Sequence, residues 1–158
     1  MPSELSVDIR AIVPGDADAA ARLSGELGYP VDATTMRLRI EQLTVSVDHG
    51  AFVACQAGDV VGWIHVSSVH HMQSDPRAEI GGLVVAAHAR SAGIGAQLVA
   101  RAEQWAREAG FSSVVVRSQI MRDAAHRFYL REGYARTKTS AVFTKAIQPE
   151  PEARSPRS

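Results

Sequence analysis

The stretch EIGGLVVAAHARSAGIG, Glu79 to Gly95, changes character halfway along. From Ala78 to Val85 it is apolar and rich in Ile, Leu and Val, as a buried strand would be. From Arg90 to Gly95 the residues are small, with an arginine in front. Beyond it Ile94, Leu98, Val99, Ala102, Trp105, Ala106 and Ala109 fall at steps of three and four, which predicts a helix. Strand, glycine-rich turn and helix together present free backbone N–H groups, and the positive end of a helix dipole, to a phosphate. The turn is not a Walker loop, since no Gly-Lys-Ser/Thr follows, and with only Gly93 and Gly95 it is not the GxGxxG of dinucleotide folds.

Arg-x-x-Gly-x-Gly/Ala opening a helix resembles the pyrophosphate-binding signature of the GNAT superfamily of N-acetyltransferases, which use acetyl-CoA. Upstream, Leu83-x-Val85 resembles that family's fourth strand. Downstream, Ala125-His-Arg-Phe-Tyr129 followed by Glu132-Gly-Tyr134 resembles its second conserved block. The three elements stand in order, at family spacing, across roughly residues 79–134.

The remaining composition is neutral in every sense. The 158 residues suit one domain, and 46% hydrophobic content supports a core. Lys plus Arg equals Asp plus Glu at 17 each, so no bulk attraction to nucleic acid or membrane is implied. No apolar run approaches the roughly 20 residues of a membrane helix. MPSELSVDIR lacks the basic-then-apolar pattern of a signal peptide, so a soluble cytoplasmic protein is expected. The single cysteine, Cys55, lies in an apolar strand-like run and reads as packing rather than as a nucleophile.

Taken in order, Val7 to Val13 alternates and predicts a strand, ended by Pro14-Gly15-Asp16. Asp16 is placed to cap a helix through about Leu27, with Gly28 after it and Pro30 blocking continuation. A second helix is expected from about Ala33, carrying Met36, Ile40 and Leu43 on one face. Ala51 to Gln56 and Val60 to Ser67 read as strands around an Ala57-Gly58-Asp59 turn. Val69 to Arg77 reads as a polar loop. After the 79–95 unit and its helix, Ser113 to Arg117 predicts a strand, about Arg122 to Arg131 a helix, and Tyr134 onward with Ala141 to Ile147 a final pair of strands. The Pro- and charge-rich residues 148–158 are expected to be a disordered tail on a 1–147 domain. The class is mixed α/β. The order (strand, two helices, three strands, helix, strand, helix, two strands) is also that implied by the GNAT fold: seven strands in one mixed sheet flanked by helices.

Acetyl transfer to an amine requires that the amine lose a proton, that charge gathering on the thioester oxygen meet donors, and that the leaving thiolate be protonated. The resemblance implies Glu79, at the head of the central strand, as base, and Tyr129, on the last helix, as acid. A phenol's ordinary pKa of about 10 lies close to that of a thiol. Matched positions imply that backbone groups of Leu83, Val84 and Val85 pair with pantetheine. Pyrophosphate contacts fall on Arg90, Ser91, Ala92, Gly93, Ile94, Gly95 and Ala96. Ser91 stands where the family often has glycine and Ala87 where it often has proline; neither removes an N–H. Gln119 stands where the family usually has a cofactor-contacting asparagine, and is longer. His126 is expected near the cofactor.

Tyr29, His70 and His71 sit in segments that border the acceptor groove in GNAT folds and are candidates for substrate contact. His65, His70 and His71 invite a metal reading, but no spacing matches a zinc site and no metal is expected. The implied function is acetyl-CoA-dependent N-acetyltransfer to a primary amine of a small molecule or peptide by direct transfer. Related proteins often form homodimers through sheet edges. The rival reading is a catalytically idle CoA-binding regulatory module, which would need neither Glu79 nor Tyr129. No acidic cluster marks the groove-bordering segments for a polycationic acceptor: Glu26, Asp32, Glu41, Asp48 and Asp75 are scattered.

Overall fold

The computed structural model describes residues 6–90, 92–117 and 123–150. The chain forms two compact units, residues 1–118 and 119–158.

The first unit is built on a five-stranded sheet in the order β1-β2-β3-β4-β5: β1 (Val7–Ala11), β2 (His49–Gln56), β3 (Asp59–His71), β4 (Ser74–Val85) and β5 (Val114–Val116). The first four strands are antiparallel and β5 is parallel to β4, so the sheet is mixed. Helices α1 (Ala17–Glu26) and α2 (Ala33–Thr44) cover one face, where Ala17, Ala20 and Ile40 form a core with Val53, Ala51 and Trp63. The Trp63 indole N–H donates to the Ala20 carbonyl, 3.2 Å away, tying β3 to α1. Helix α3 (Ile94–Glu108) covers the other face. There Gly62 and Gly50 leave room for neighbours: an added Cβ would stand 3.1 Å from Leu98 at the first and 2.8 Å from Trp105 at the second.

Local chemistry sets these boundaries. Asp16 precedes α1, but its carboxylate does not cap the helix. It takes a two-pronged ion pair from Arg10, at 2.8 and 2.9 Å, and a hydrogen bond from the Val13 N–H. Asp32 does cap α2, accepting from the Thr35 N–H at 2.7 Å. The β2–β3 turn puts both Ala57 and Gly58 at positive φ, the geometry that matches the twist of a tight hairpin. After α3, Gly110 turns left-handed while the Phe111 N–H reaches the Ala106 carbonyl, and the Phe111 ring stacks on Trp105.

Besides the Asp16 cap, two expectations are corrected. The segment read as a polar loop, residues 69–77, is the end of a hairpin in which β3 runs to His71 and β4 starts at Ser74. Its side chains are exposed near the tip, so no apolar alternation marked it. Pro76 fits because the register shifts between Val69 and His71, where a ladder N–H is not required. The second correction concerns the strand count, five among the described residues rather than seven. The second unit contains α4 (Asp123–Arg131), closed by Gly133 at φ +92°, and residues 134–150 form no strand. Val142, Phe143 and Ile147 are more than four-fifths exposed. Their alternation suits a strand, but a strand needs a hydrogen-bonding partner and an isolated pair is marginal. Residues 148–150 are exposed; the rest of the expected tail lies outside the described residues.

Candidate functional site

The candidate site follows β4 into α3. Parallel pairing with β5 covers only Ala78, Glu79 and Ile80. Among the described residues, no strand pairs with β4 on that side from Gly81 to Val85, so the N–H and C=O groups of Leu83 and Val85 border an edge open to an extended ligand, while those of Val84 between them face β3. The cause is a bulge: His65 of β3 pairs with Gly82 and the next residue, Val66, with Ile80, leaving Gly81 as the extra residue. A bulge bends its strand and interrupts the ladder. Gly82 is demanded by packing, since a Cβ there would come within 2.8 Å of the Trp63 ring.

Past β4, Arg90 folds back and its Nε donates to the Val85 carbonyl at 3.3 Å. Gly93 stands at φ +78°, the residue before α3, with nothing within 4 Å of where a Cβ would sit. A glycine takes this left-handed conformation without strain. The first intrahelical bond here runs from the Gln97 N–H to the Gly93 carbonyl. The N–H groups of Ile94, Gly95 and Ala96 precede it and have no acceptor within the helix. Ile94 anchors the turn, fully buried, while Arg90, Ala92 and Gly93 are exposed. The arrangement can hold an extended backbone-like ligand along β4 and an anion at the start of α3.

Glu79 lies at the head of this edge. Its Oε1 accepts from Arg117 Nε at 2.8 Å, an ion pair across the end of β5. Glu79 pairs with Ser67 of β3, and Ser67 with His49 of β2, so the three share a row and a face of the sheet. His65, two residues from Ser67, is on that face too. His49 Nδ1 and His65 Nε2 are 2.9 Å apart, and the two rings stack with centroids 5.2 Å apart. Burial, and then the neighbouring His49, push the His65 imidazole below the ordinary histidine value. Arg117 and His49 were not singled out by sequence reasoning, and His65 was considered there only as a metal ligand. His65 was visible as a strand residue, but only cross-strand register brings it to His49.

The structure separates the other candidates. His70 is on the opposite face from Glu79, edge-on to Phe111 with ring centroids 6.1 Å apart. It lines an open concavity of about 640 Å³ with Asp48, Asp75 and Ser112, at the C-terminal end of α3. His71 is exposed at the hairpin tip. Tyr29, half exposed between α1 and α2, accepts at its carbonyl from the Ser24 hydroxyl at 2.6 Å. In the second unit, Tyr129 lies between Phe128 and Tyr134, with ring centroids 5.1 and 5.9 Å away, and burial pushes its phenol up. His126, half-buried, precedes Tyr129 by three positions on α4, which sets them on neighbouring parts of one helix face. Ser91 and Gln119 lie outside the described residues. Among the described residues, no three His, Cys, Asp or Glu side chains converge to hold a metal ion, and no helix is long and apolar enough to cross a membrane.

The sequence model of the Acetyltransferase (GNAT) family matches residues 19–134. The chain belongs to this family. It is 42% identical over 96 residues to an aminoalkylphosphonate N-acetyltransferase of Salmonella typhimurium, a match covering 60% of this chain and 61% of that enzyme. It is 28% identical over 146 residues to a type 1 aminoglycoside N(6')-acetyltransferase of Stenotrophomonas maltophilia, covering 89% and 94% of the two chains. The structure superposes with a TM-score of 0.80 on aminoglycoside N-acetyltransferase AAC(6')-Iy in complex with CoA, at 18% identity, over 90% of this chain and 96% of that one.

Proposed function

We propose that this protein is an acetyl-CoA-dependent N-acetyltransferase that moves an acetyl group directly to a primary amine of a small molecule or peptide. The observation that carries the reading is the open edge of β4, residues 81–85, leading into the Gly93-capped start of α3 with Glu79 at its head. The residues fit the group. Leu83 and Val85 offer strand-like backbone pairing to a pantetheine arm. Arg90, Ser91, Ala92, Gly93, Ile94, Gly95 and Ala96 offer N–H groups and one cation to a pyrophosphate, with Gln119 and His126 completing the contacts. When bound, acetyl-CoA supplies the acetyl group as a thioester.

Glu79 accepts the proton that the amine loses, with Arg117 fixing the carboxylate. Tyr129 Oη gives a proton to the departing sulfur; its burial keeps the phenol in the donor form at neutral pH. Of the three groove-bordering candidates, Tyr29, in the α1–α2 connection, is the proposed acceptor contact; His70, on the other face from Glu79, and His71, at the hairpin tip, are not placed to meet an amine at Glu79. A homodimer through sheet edges belongs to the same reading. Small amines are the first acceptors to try, because the named relatives are an aminoalkylphosphonate and an aminoglycoside acetyltransferase.

A turnover screen tests this: acetyl-CoA with 2-aminoethylphosphonate, kanamycin and a lysine peptide, read by free thiol release. Acceptor-dependent release with any of these amines is the expected result. Release that is no faster with any amine than without one overturns the reading.

A further inference from the structure

On the Glu79 face of the sheet the structure holds a second set of proton-binding atoms, and we propose that the His49–His65 pair is the acceptor to which Glu79 hands on the amine proton. This rests on the N-acetyltransferase reading and concerns the same site. Three observations carry it. The ring nitrogens His49 Nδ1 and His65 Nε2 stand 2.9 Å apart, so one donates and the other accepts. Glu79 pairs with Ser67, two residues from His65 on the same face, and Gly81, beside the His65 ring, is two residues along β4 from Glu79. The remaining nitrogen, His65 Nδ1, borders exposed Gly81 at the bulge, where an added Cβ would come to 3.4 Å.

The relay uses one tautomer. His65 carries its proton on Nε2 and donates to His49 Nδ1, leaving the His65 Nδ1 lone pair toward the bulge. The steps then balance. An amine N–H bond breaks as a Glu79 O–H bond forms. The Glu79 O–H bond breaks as a His65 Nδ1–H bond forms. The His65 imidazolium keeps its Nε2–H bond to neutral His49, now charge-assisted, and later loses the Nδ1 proton to water. The relay draws on the margin of roughly two pK units by which an ordinary imidazole exceeds an ordinary carboxylate as a base, a margin that burial narrows at His65. His49 thus acts as a positioning residue, holding His65 in the accepting tautomer.

Among the described residues, the charged and titratable groups on this face beside His65 come from β2, β4 and the end of β5. β2 contributes His49, and β4 contributes Glu79 with its partner Arg117 from the end of β5. Towards this face α1 and α2 contribute the apolar Ala20, Met36 and Ile40. With burial lowering the His65 value, the neutral, accepting form prevails at pH 7.

The test uses the full chain, with acetyl-CoA and whichever amine the wild type turns over. His65→Gln is expected to lower kcat at pH 7 on the order of 10²-fold, to lose the acidic limb of the pH–rate profile, and to recover with added imidazole buffer. His49→Gln, whose amide oxygen can still accept from His65 Nε2–H, should keep kcat within threefold of wild type; His49→Phe, with no acceptor, should not. Nitrogen-15 NMR of the histidine rings, read without turnover, should show an unprotonated His65 Nδ1 at neutral pH. A His65→Gln enzyme with the parental pH profile, or a His65 protonated on Nδ1 in the wild type, overturns the relay alone. A wild type that binds acetyl-CoA but turns over no amine overturns the transferase reading, and the relay with it.

Discussion

Arg117 Nε stands 2.8 Å from Glu79 Oε1, joining the end of β5 to the head of the open β4 edge. The guanidinium side chain is 55% exposed and the carboxylate 23%, so the pair contributes little to stability, about 1 kcal/mol or less. Its effect is to hold the carboxylate in one orientation.

Glu79→Gln keeps the size and the hydrogen bond from Arg117 but cannot take up a proton as a base does. Turnover is expected to fall most near neutral pH and to recover partly at higher pH, where more of the amine is already deprotonated. Arg117→Gln should lower kcat/KM about tenfold with a melting temperature within a few degrees of the parent. A pH–rate series on the two variants beside the wild type checks both; a parental profile for Glu79→Gln would make the glutamate only a strand residue.

Tyr129→Phe preserves the ring packed between Phe128 and Tyr134 and removes the proton donor. It should lower kcat by something like 10²-fold while acetyl-CoA affinity changes little, and it should lack the high-pH recovery of Glu79→Gln. Steady-state kinetics with calorimetry on the same preparation separates the two effects. Near-normal turnover would assign the acid elsewhere.

The sequence disclosed the site's frame more fully than its chemistry. A glycine that must adopt φ +78° before an amphipathic helix leaves a local mark, so Gly93 and the start of α3 could be read from neighbours in the chain. The His49–His65 contact joins residues 16 apart in sequence, and the Arg117–Glu79 pair residues 38 apart. Strand register sets both contacts, and register leaves no periodic trace. The 69–77 hairpin escaped notice because its exposed residues need no apolar face. The alternation of 141–147 misled in the opposite sense: pattern states which face a strand would bury, not whether another strand pairs with it.

Away from the site, Asp16 is buried beneath Arg10, and the guanidinium hydrogen bond, helped by the Val13 N–H, holds its carboxyl below the usual carboxylate range. Asp16→Asn should destabilise the fold by about 2 kcal/mol, because Arg10 loses a charged partner while remaining partly solvated. The unfolded chain binds the proton more readily than the folded one. The Asp16 contribution is therefore complete above about pH 4 and is lost as pH falls through its lowered folded value. Urea unfolding at pH 7 and at pH 3 checks this: the gap between parent and variant should narrow at the lower pH.

The most direct measurement is calorimetric titration of acetyl-CoA into the wild type and Gly93→Asp. The position is exposed, has no atom within 4 Å of an added Cβ, and has a φ of +78° that aspartate tolerates better than most residues, so the variant should fold. The substitution sets a negative charge beside the N–H groups of Ile94, Gly95 and Ala96, which have no acceptor within α3. Affinity is expected to fall at least tenfold, about 1.4 kcal/mol, with circular dichroism unchanged. Equal affinity in a folded Gly93→Asp protein would contradict acetyl-CoA binding at the start of α3.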